Sequence, residues 1–346
     1  MKQFLTITFC LSFFTLSTLV AQDAKLPYKD SILSQMSSLG IPAVGIGLIS
    51  DGKISEIQTL GNFRSQAPIS ESTWFEVASI TKSISTMSTL RLVQNGDWDM
   101  DEPLYHYWID PEVADDTLHQ LLSTRHVLSH QTGFVNWRWM HESGKLTFDH
   151  PPGTQFGYSG EGFEYLRKAL EAKFQTSFQQ LVDSLIFDPL DMQASTLIWQ
   201  DKIDSNLVAI PHKALGEAYP YKKREVAFAS DGMLTTVEDL CQFGIYTMNK
   251  IQSGAKAYED MIRPQSQAKP GVNFGLGWIV FEDLANDEYA LLNAGSNPGV
   301  NAILLLFPKT KEGLVVMTNS DQGRVLVMQM IGKVFGQKGG EILSRL

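Results

Sequence analysis

Two hairpin signals stand near opposite ends of this chain, and they restrict its fold more than any other feature. Residues 42–50 and 53–60 are apolar, alternating runs around Asp51-Gly52, a dipeptide that favours a tight turn between antiparallel strands. Residues 302–307 and 313–319 form a second apolar pair, joined by Pro308-Lys309-Thr310-Lys311-Glu312. Residues 273–280 and 289–293 also read as strands. Helical spacing marks 25–39 and 322–335,. Between these ends, about 97–225, the pattern is helices and Pro/Gly-marked loops. Successive hairpins imply an antiparallel sheet. The two ends therefore build one sheet-and-helix unit, about 22–96 and 226–346. The expected class is α+β: an antiparallel sheet flanked by helices, with an inserted helical subdomain at about 97–225. Boundaries of this kind are usual places for ligand clefts.

The chain has 346 residues, 43% hydrophobic and 19% charged, enough for a large core. Its formal net charge is −10, without Lys/Arg clusters, which argues against nucleic acid and anionic membranes as partners. Lys2, an apolar run from Phe4 to Val20, and Ala21-Gln22 read as a secretory signal cleaved after Ala21, rather than as a retained anchor. The expected product, 22–346, is exported across the inner membrane to the periplasm, with no stable membrane insertion. The two cysteines are Cys10 and Cys241. Cys10 leaves with the signal, so no internal disulfide is expected, and Cys241 reads as a buried small hydrophobe.

Chemistry points to Ser79-Ile80-Thr81-Lys82. Apolar residues at 80, 84, 87, 90 and 93 recur at helical steps, and Asn95-Gly96 supplies a stop,. Ser79 is thus expected in the first helical turn, where free amides favour developing negative charge. Lys82 lies one turn on, on the same face, within reach of the hydroxyl proton. By itself Ser-x-x-Lys is a frequent chance pattern, equally readable as an N-cap serine and a solvent lysine.

Other segments add specificity. Residues 75–82 (Phe-Glu-Val-Ala-Ser-Ile-Thr-Lys), 125–133 (Arg-His-Val-Leu-Ser-His-Gln-Thr-Gly) and 152–159 (Pro-Gly-Thr-Gln-Phe-Gly-Tyr-Ser) come first. Then follow 231–240 (Asp-Gly-Met-Leu-Thr-Thr-Val-Glu-Asp-Leu), 275–278 (Gly-Leu-Gly-Trp) and 295–299 (Gly-Ser-Asn-Pro-Gly). In this order the six segments resemble the serine β-lactamase and penicillin-binding protein superfamily, nearest its class C-like branch of esterases and D-peptidases. The resemblance implies an acyl-enzyme on Ser79, proton transfer by Lys82 and Tyr158, and an oxyanion hole from the backbone N–H groups of Ser79 and Ser296. It implies no metal and no organic cofactor. The substrate would be a small molecule or peptide with an ester, amide or lactam bond.

The chain departs from that pattern at two points. Asn293-Ala294-Gly295 stands where Lys-Thr-Gly or His-x-Gly is usual, and Gly160 stands where the second motif ends in Asn. Asn293, Gly295, Gly160 and Trp137 are the candidate substrate-binding residues. Trp137 and Trp139 either line the cleft or belong to the subdomain core. His126 and His130 are spaced like metal ligands but lack the glutamate of His-Glu-x-x-His, so structural histidines beneath the site are the better reading. Asp239 reads as a cap or brace for its helix. No Gly-x-Ser-x-Gly, Walker or Gly-x-Gly-x-x-Gly pattern was found in this reading. The leading function is an exported serine hydrolase cleaving an amide or ester. The alternatives are a true β-lactamase or D-alanyl peptidase, and a non-catalytic homologue that binds in the cleft.

Overall fold

A computed structural model describes residues 28–63 and 67–346; the expected secretory signal and the expected cleavage after Ala21 lie outside them. The helices are α1 (Lys29–Leu39), α2 (Thr81–Asn95), α3 (Thr124–Leu128), α4 (Gly160–Phe174), α5 (Phe178–Val182), α6 (Val237–Gln252), α7 (Lys256–Ile262) and α8 (Gly323–Arg345). The strands are β1 (Ala43–Ser50), β2 (Lys53–Phe63), β3 (Ala67–Pro68), β4 (Phe75–Glu76), β5 (Leu234–Thr235), β6 (Ser266–Lys269), β7 (Val272–Phe274), β8 (Ile279–Leu284), β9 (Glu288–Asn297), β10 (Val300–Phe307) and β11 (Glu312–Thr318).

Nine strands form one antiparallel sheet in the order β3-β2-β1-β11-β10-β9-β8-β7-β6. The N-terminal and C-terminal hairpins meet where β1 pairs with β11, Val44 opposite Thr318 and Ile49 opposite Gly313. All eight residues of β10 are buried. Helix α6 packs on one face of the sheet, and α8, with α1 against it, on the other. Two core clusters follow, one on each face: Leu304, Leu306 and Val315 in the first, Ile303, Leu305 and Val316 in the second. The continuous apolar run of β10 is what double coverage requires, since both sets of alternating side chains leave water. Among the described residues, no strand lies between β4 and β5.

Three local expectations change. The strand expected over residues 273–280 is broken. β7 ends at Phe274, and Gly275-Leu276-Gly277-Trp278 turns the chain before β8 begins. Gly277 has φ +71° and its backbone N–H donates to Leu128 O at 2.6 Å, a left-handed position that a strand cannot accommodate. The last helix runs past residue 335 to Arg345, with a break at Gly336. Helix α2 begins at Thr81, so Ser79 precedes it rather than lying in its first turn, and the helix is buried on almost every side. Its serines and threonines make this possible: Thr86, Ser88 and Thr89 each donate to the carbonyl four residues back, so their hydroxyls are satisfied without water.

Candidate active site

Ser79 sits on a strained turn rather than in an α-helical turn. Residues Ala78–Ile80 form a 3₁₀ turn, and α2 begins only at Thr81. Ala78 has φ +45°, a conformation that L-residues with a Cβ adopt at a cost of roughly 1–2 kcal/mol. Surrounding bonds hold it there. Val77 N–H donates to Met233 O, Thr81 Oγ1 donates to Ala78 O at 2.6 Å, and Met233 N–H donates to Thr81 Oγ1. Ser79 is half-buried and Lys82 is 3% exposed.

Lys82 Nζ donates to Ser79 Oγ at 3.2 Å and to Ser230 O at 2.8 Å. It also lies 4.8 Å from the Tyr158 ring centroid and 5.7 Å from that of Phe163. The ammonium is thus met by a hydroxyl, a carbonyl and two ring faces. No carboxylate lies within 4.0 Å of it among the described residues.

Tyr158 is fixed from two directions. The next residue, Ser159, caps α4: its Oγ accepts from Gly162 N–H at 3.1 Å and donates to Val135 O,. His130 stacks on the Tyr158 ring at 4.3 Å with 29° between planes, and its Nδ1 accepts from Ser159 N–H. Burial, together with the nearby Lys82 charge, pushes the His130 imidazole well below the usual histidine range, so the ring stays neutral and packs as an aromatic plate. His126 is tied to Ser123 through its Nδ1. No group of three or more metal-ligating side chains occurs among the described residues.

Strand β9 closes the other side. A Cβ on Gly295 would lie 2.0 Å from Val77 O and 3.1 Å from Ser79 N. The strand therefore passes directly against the nucleophile turn, and only glycine permits that approach. Asn297 pairs with Val300 across the two-residue turn Pro298-Gly299. That closing pair exchanges backbone bonds, and pairs then alternate, so Ser296 N–H points away from β10. Pairing of β8 with β9 stops at Ile279–Leu292. The Ser296 N–H thus faces the part of the β9 edge that β8 leaves unpaired, one residue beyond the close approach of Gly295 to the Ser79 turn.

Two of the expected substrate contacts need correction. Asn293 is buried, and its Nδ2 donates to Gly277 O at 3.0 Å; the amide nitrogen braces β9 against the turn before β8 and is not free to bind a substrate. Gly160 N–H is already taken by Asn136, at 3.0 Å to its backbone O and 2.9 Å to its Oδ1. The space beside Gly160 is filled by the Trp137 indole, 2.9 Å from where a Cβ would stand. Trp137 therefore belongs to the site region, stacked on Trp139. Asp239 does not cap its own helix, a role taken by Thr236. Its carboxylate instead holds Ala194 N–H and Ser195 Oγ, and burial pushes its pKa up to about 6.

Sequence reading missed the support behind the lysine. Glu164 Oε1, one turn into α4, accepts from Ala229 N–H (3.0 Å), Ser230 N–H (3.1 Å) and Ser230 Oγ (2.7 Å). It missed a second cluster too. Asn297 Nδ2 donates to Glu76 and Asp231, and Arg224 bridges the same two carboxylates. Ser230 stands one residue before the Asp231-Gly232 segment, which was the one available signal. Nothing local marks this role of Glu164, because the donors to its Oε1 are more than sixty residues away.

A family model described as Beta-lactamase matches residues 28–330. Protein flp of Staphylococcus aureus (strain MW2) is 22% identical over 302 residues, an alignment covering 81% of this chain and 60% of that protein. The chain thus spans about three fifths of the length of the curated relatives it matches. Among solved structures, the octameric penicillin-binding protein homologue from Pyrococcus abyssi superposes with a TM-score of 0.73 at 20% identity, covering 90% of this chain and 77% of that one. A class C beta-lactamase from Rhodobacter sphaeroides gives 0.74 at 15% identity, covering 89% and 99%. At these identities the superpositions speak for the fold alone. The family match, which spans most of the described residues and includes the serine, lysine and tyrosine, carries the assignment: the chain belongs to the beta-lactamase family, a membership that supports a serine hydrolase.

Proposed function

We propose that this chain is an exported serine hydrolase that cleaves an ester or amide through an acyl-Ser79 intermediate. The observation that carries the reading is the 3.2 Å contact between Lys82 Nζ and Ser79 Oγ, with the Tyr158 ring 4.8 Å from the same nitrogen. Ser79 Oγ attacks the carbonyl carbon while its proton passes to the Lys82/Tyr158 pair. The carbonyl oxygen becomes an oxyanion, met by the Ser79 and Ser296 N–H groups. The pair then delivers the proton to the leaving nitrogen or oxygen, and the acyl group remains on Ser79. Water, deprotonated by the same pair, attacks the ester and regenerates the enzyme.

The recognition side chains favour an ester or amide without a carboxylate over a penicillin or a D-alanyl peptide. Position 293 carries no cation, and its amide is engaged with Gly277. Export rests on the leader-like run from Phe4 to Val20 and is checked by the N-terminal mass of protein recovered from the periplasm. For the chemistry, the full chain is incubated with a fluorophosphonate probe. One adduct per molecule on Ser79, absent in Ser79→Ala, supports the reading; no adduct in the wild-type chain under conditions where it is folded refutes it and favours a cleft-binding protein.

A further inference from the structure

Beside Tyr158 the chain has removed polar recognition groups and put indoles in their place. Gly160 has no side chain, and its N–H is held by Asn136. A Cβ there would meet Trp137 at 2.9 Å, so the ring excludes a side chain at this position. Trp137 stacks on Trp139 with centroids 4.9 Å apart and planes 9° from parallel. The pair is open to solvent, with Trp139 66% exposed and the adjoining Met140 63% exposed. Large apolar side chains grouped in this way at the surface mark contact sites.

The pair is also held rigidly. Arg138, between the two tryptophans, bonds Glu161 Oε2 at 2.8 Å, Asp110 at 3.0 Å and Glu112 at 2.9 Å. Its backbone N–H also donates to Glu161. Glu161 is the second residue of α4, three beyond Tyr158. A clamp of three carboxylates on one guanidinium therefore couples the indole loop to the helix that follows the tyrosine. A preorganised apolar platform loses little entropy when a ligand settles on it.

We infer that the stacked indoles of Trp137 and Trp139 are a substrate subsite that receives a flat apolar ring, in place of a hydrogen-bonded amide. The inference deepens the hydrolase reading and rests on it for the placement of the scissile bond. The substrate class is then an aromatic ester or amide. The ring could belong to either half of the substrate, and both halves present the same face to the indoles. Ring stacking contributes about 0.5–1.5 kcal/mol beyond area burial, or roughly two- to tenfold.

Four esters separate the possibilities, with hydrolysis followed by proton release: methyl acetate, methyl phenylacetate, benzyl acetate and methyl cyclohexylacetate. The expected result is a gain in kcat/KM of about tenfold over methyl acetate for a ring ester. Methyl phenylacetate gaining would put the ring on the acyl half, benzyl acetate on the alcohol half. Methyl cyclohexylacetate, apolar but not flat, gains less; an equal gain overturns the stacking. Trp137→Ala, and independently Gly160→Asn, which displaces the indole, each lower kcat/KM for the favoured ring ester about five- to tenfold more than they lower it for methyl acetate. An unchanged preference in both variants, or no preference in the wild type, overturns the subsite even if Ser79 is labelled by fluorophosphonate.

Binding gives an independent readout. Methyl phenylacetate and benzyl acetate are titrated into Ser79→Ala and followed by tryptophan fluorescence. Saturable quenching by one of them, weakened about fivefold by Trp137→Ala, supports the platform. Absence of saturable quenching by both overturns it. If Ser79 is never labelled, the hydrolase reading fails and this titration alone decides the subsite.

Discussion

Removing the carboxylate of Glu164 should slow the chemistry without touching the substrate. Glu164 Oε1 satisfies Ala229 N–H, Ser230 N–H and Ser230 Oγ, and the Ser230 carbonyl in turn holds Lys82 Nζ at 2.8 Å. Its Oε2 accepts from Arg167 at 2.8 Å, but Arg167 keeps a second partner in Glu171. In Glu164→Ala three donors lose their acceptor. An unmet buried donor costs about 1–3 kcal/mol, and the loop relaxes in part, so a loss of about 3–5 kcal/mol of stability is expected. Once Ser230 shifts, Lys82 loses a charge-assisted contact of about 1.5–3 kcal/mol, which corresponds to roughly a ten- to hundredfold lower kcat. KM should move little. Glu164→Gln retains a carbonyl oxygen at the same place and should restore most of both losses. The assay is steady-state hydrolysis of a p-nitrophenyl ester, with active sites titrated by fluorophosphonate so that unfolded protein is not counted. A folded Glu164→Ala whose kcat per titrated site is within twofold of wild type refutes the reasoning, as does a glutamine variant no better than alanine.

Three further outcomes follow from the same geometry. Ser79→Ala should lower kcat by roughly 10⁴–10⁶, as for other removed nucleophiles; a drop of less than tenfold in ester turnover means the nucleophile is another group. Penicillin should acylate Ser79 of the wild-type chain roughly ten- to hundredfold less efficiently than Ser79 of Asn293→Lys, because a charge-assisted contact is missing; equal acylation rates by mass spectrometry count against that. Asp239 has its folded pKa raised to about 6 from 3.8, so the stability of its protonated form is present below pH 3.8 and lost as the pH rises through about 6. Between pH 4 and pH 7 the unfolding free energy of Asp239→Asn should therefore gain on wild type, by about 2–3 kcal/mol at most. An unchanged difference across that range contradicts the assignment.

What could be read from residues alone was local. Asp51-Gly52 between alternating runs determines the turn joining β1 and β2, because only certain residues accept its backbone angles. The three-residue step from Ser79 to Lys82 brings amine and hydroxyl together once the segment coils, since a helical turn repeats at that spacing.

Long-range contact decided the rest. Helical periodicity at residues 80–93 marked a helix, but that α2 is enclosed on nearly all sides, with its hydroxyls satisfied by carbonyls of its own helix, was set by the packing around it. Residues 273–280 carry a strand-like pattern, but the Gly277 backbone bonds with Leu128 and breaks the run. Glu164 reaches Lys82 only through Ser230, and Trp137 takes the space beside Gly160 only when two loops meet. Periodicity, caps and turns record how each residue sits among its chain neighbours. Which distant side chain fills a gap or supplies an acceptor depends on packing, and packing exists only after the ends of the chain have joined into one sheet.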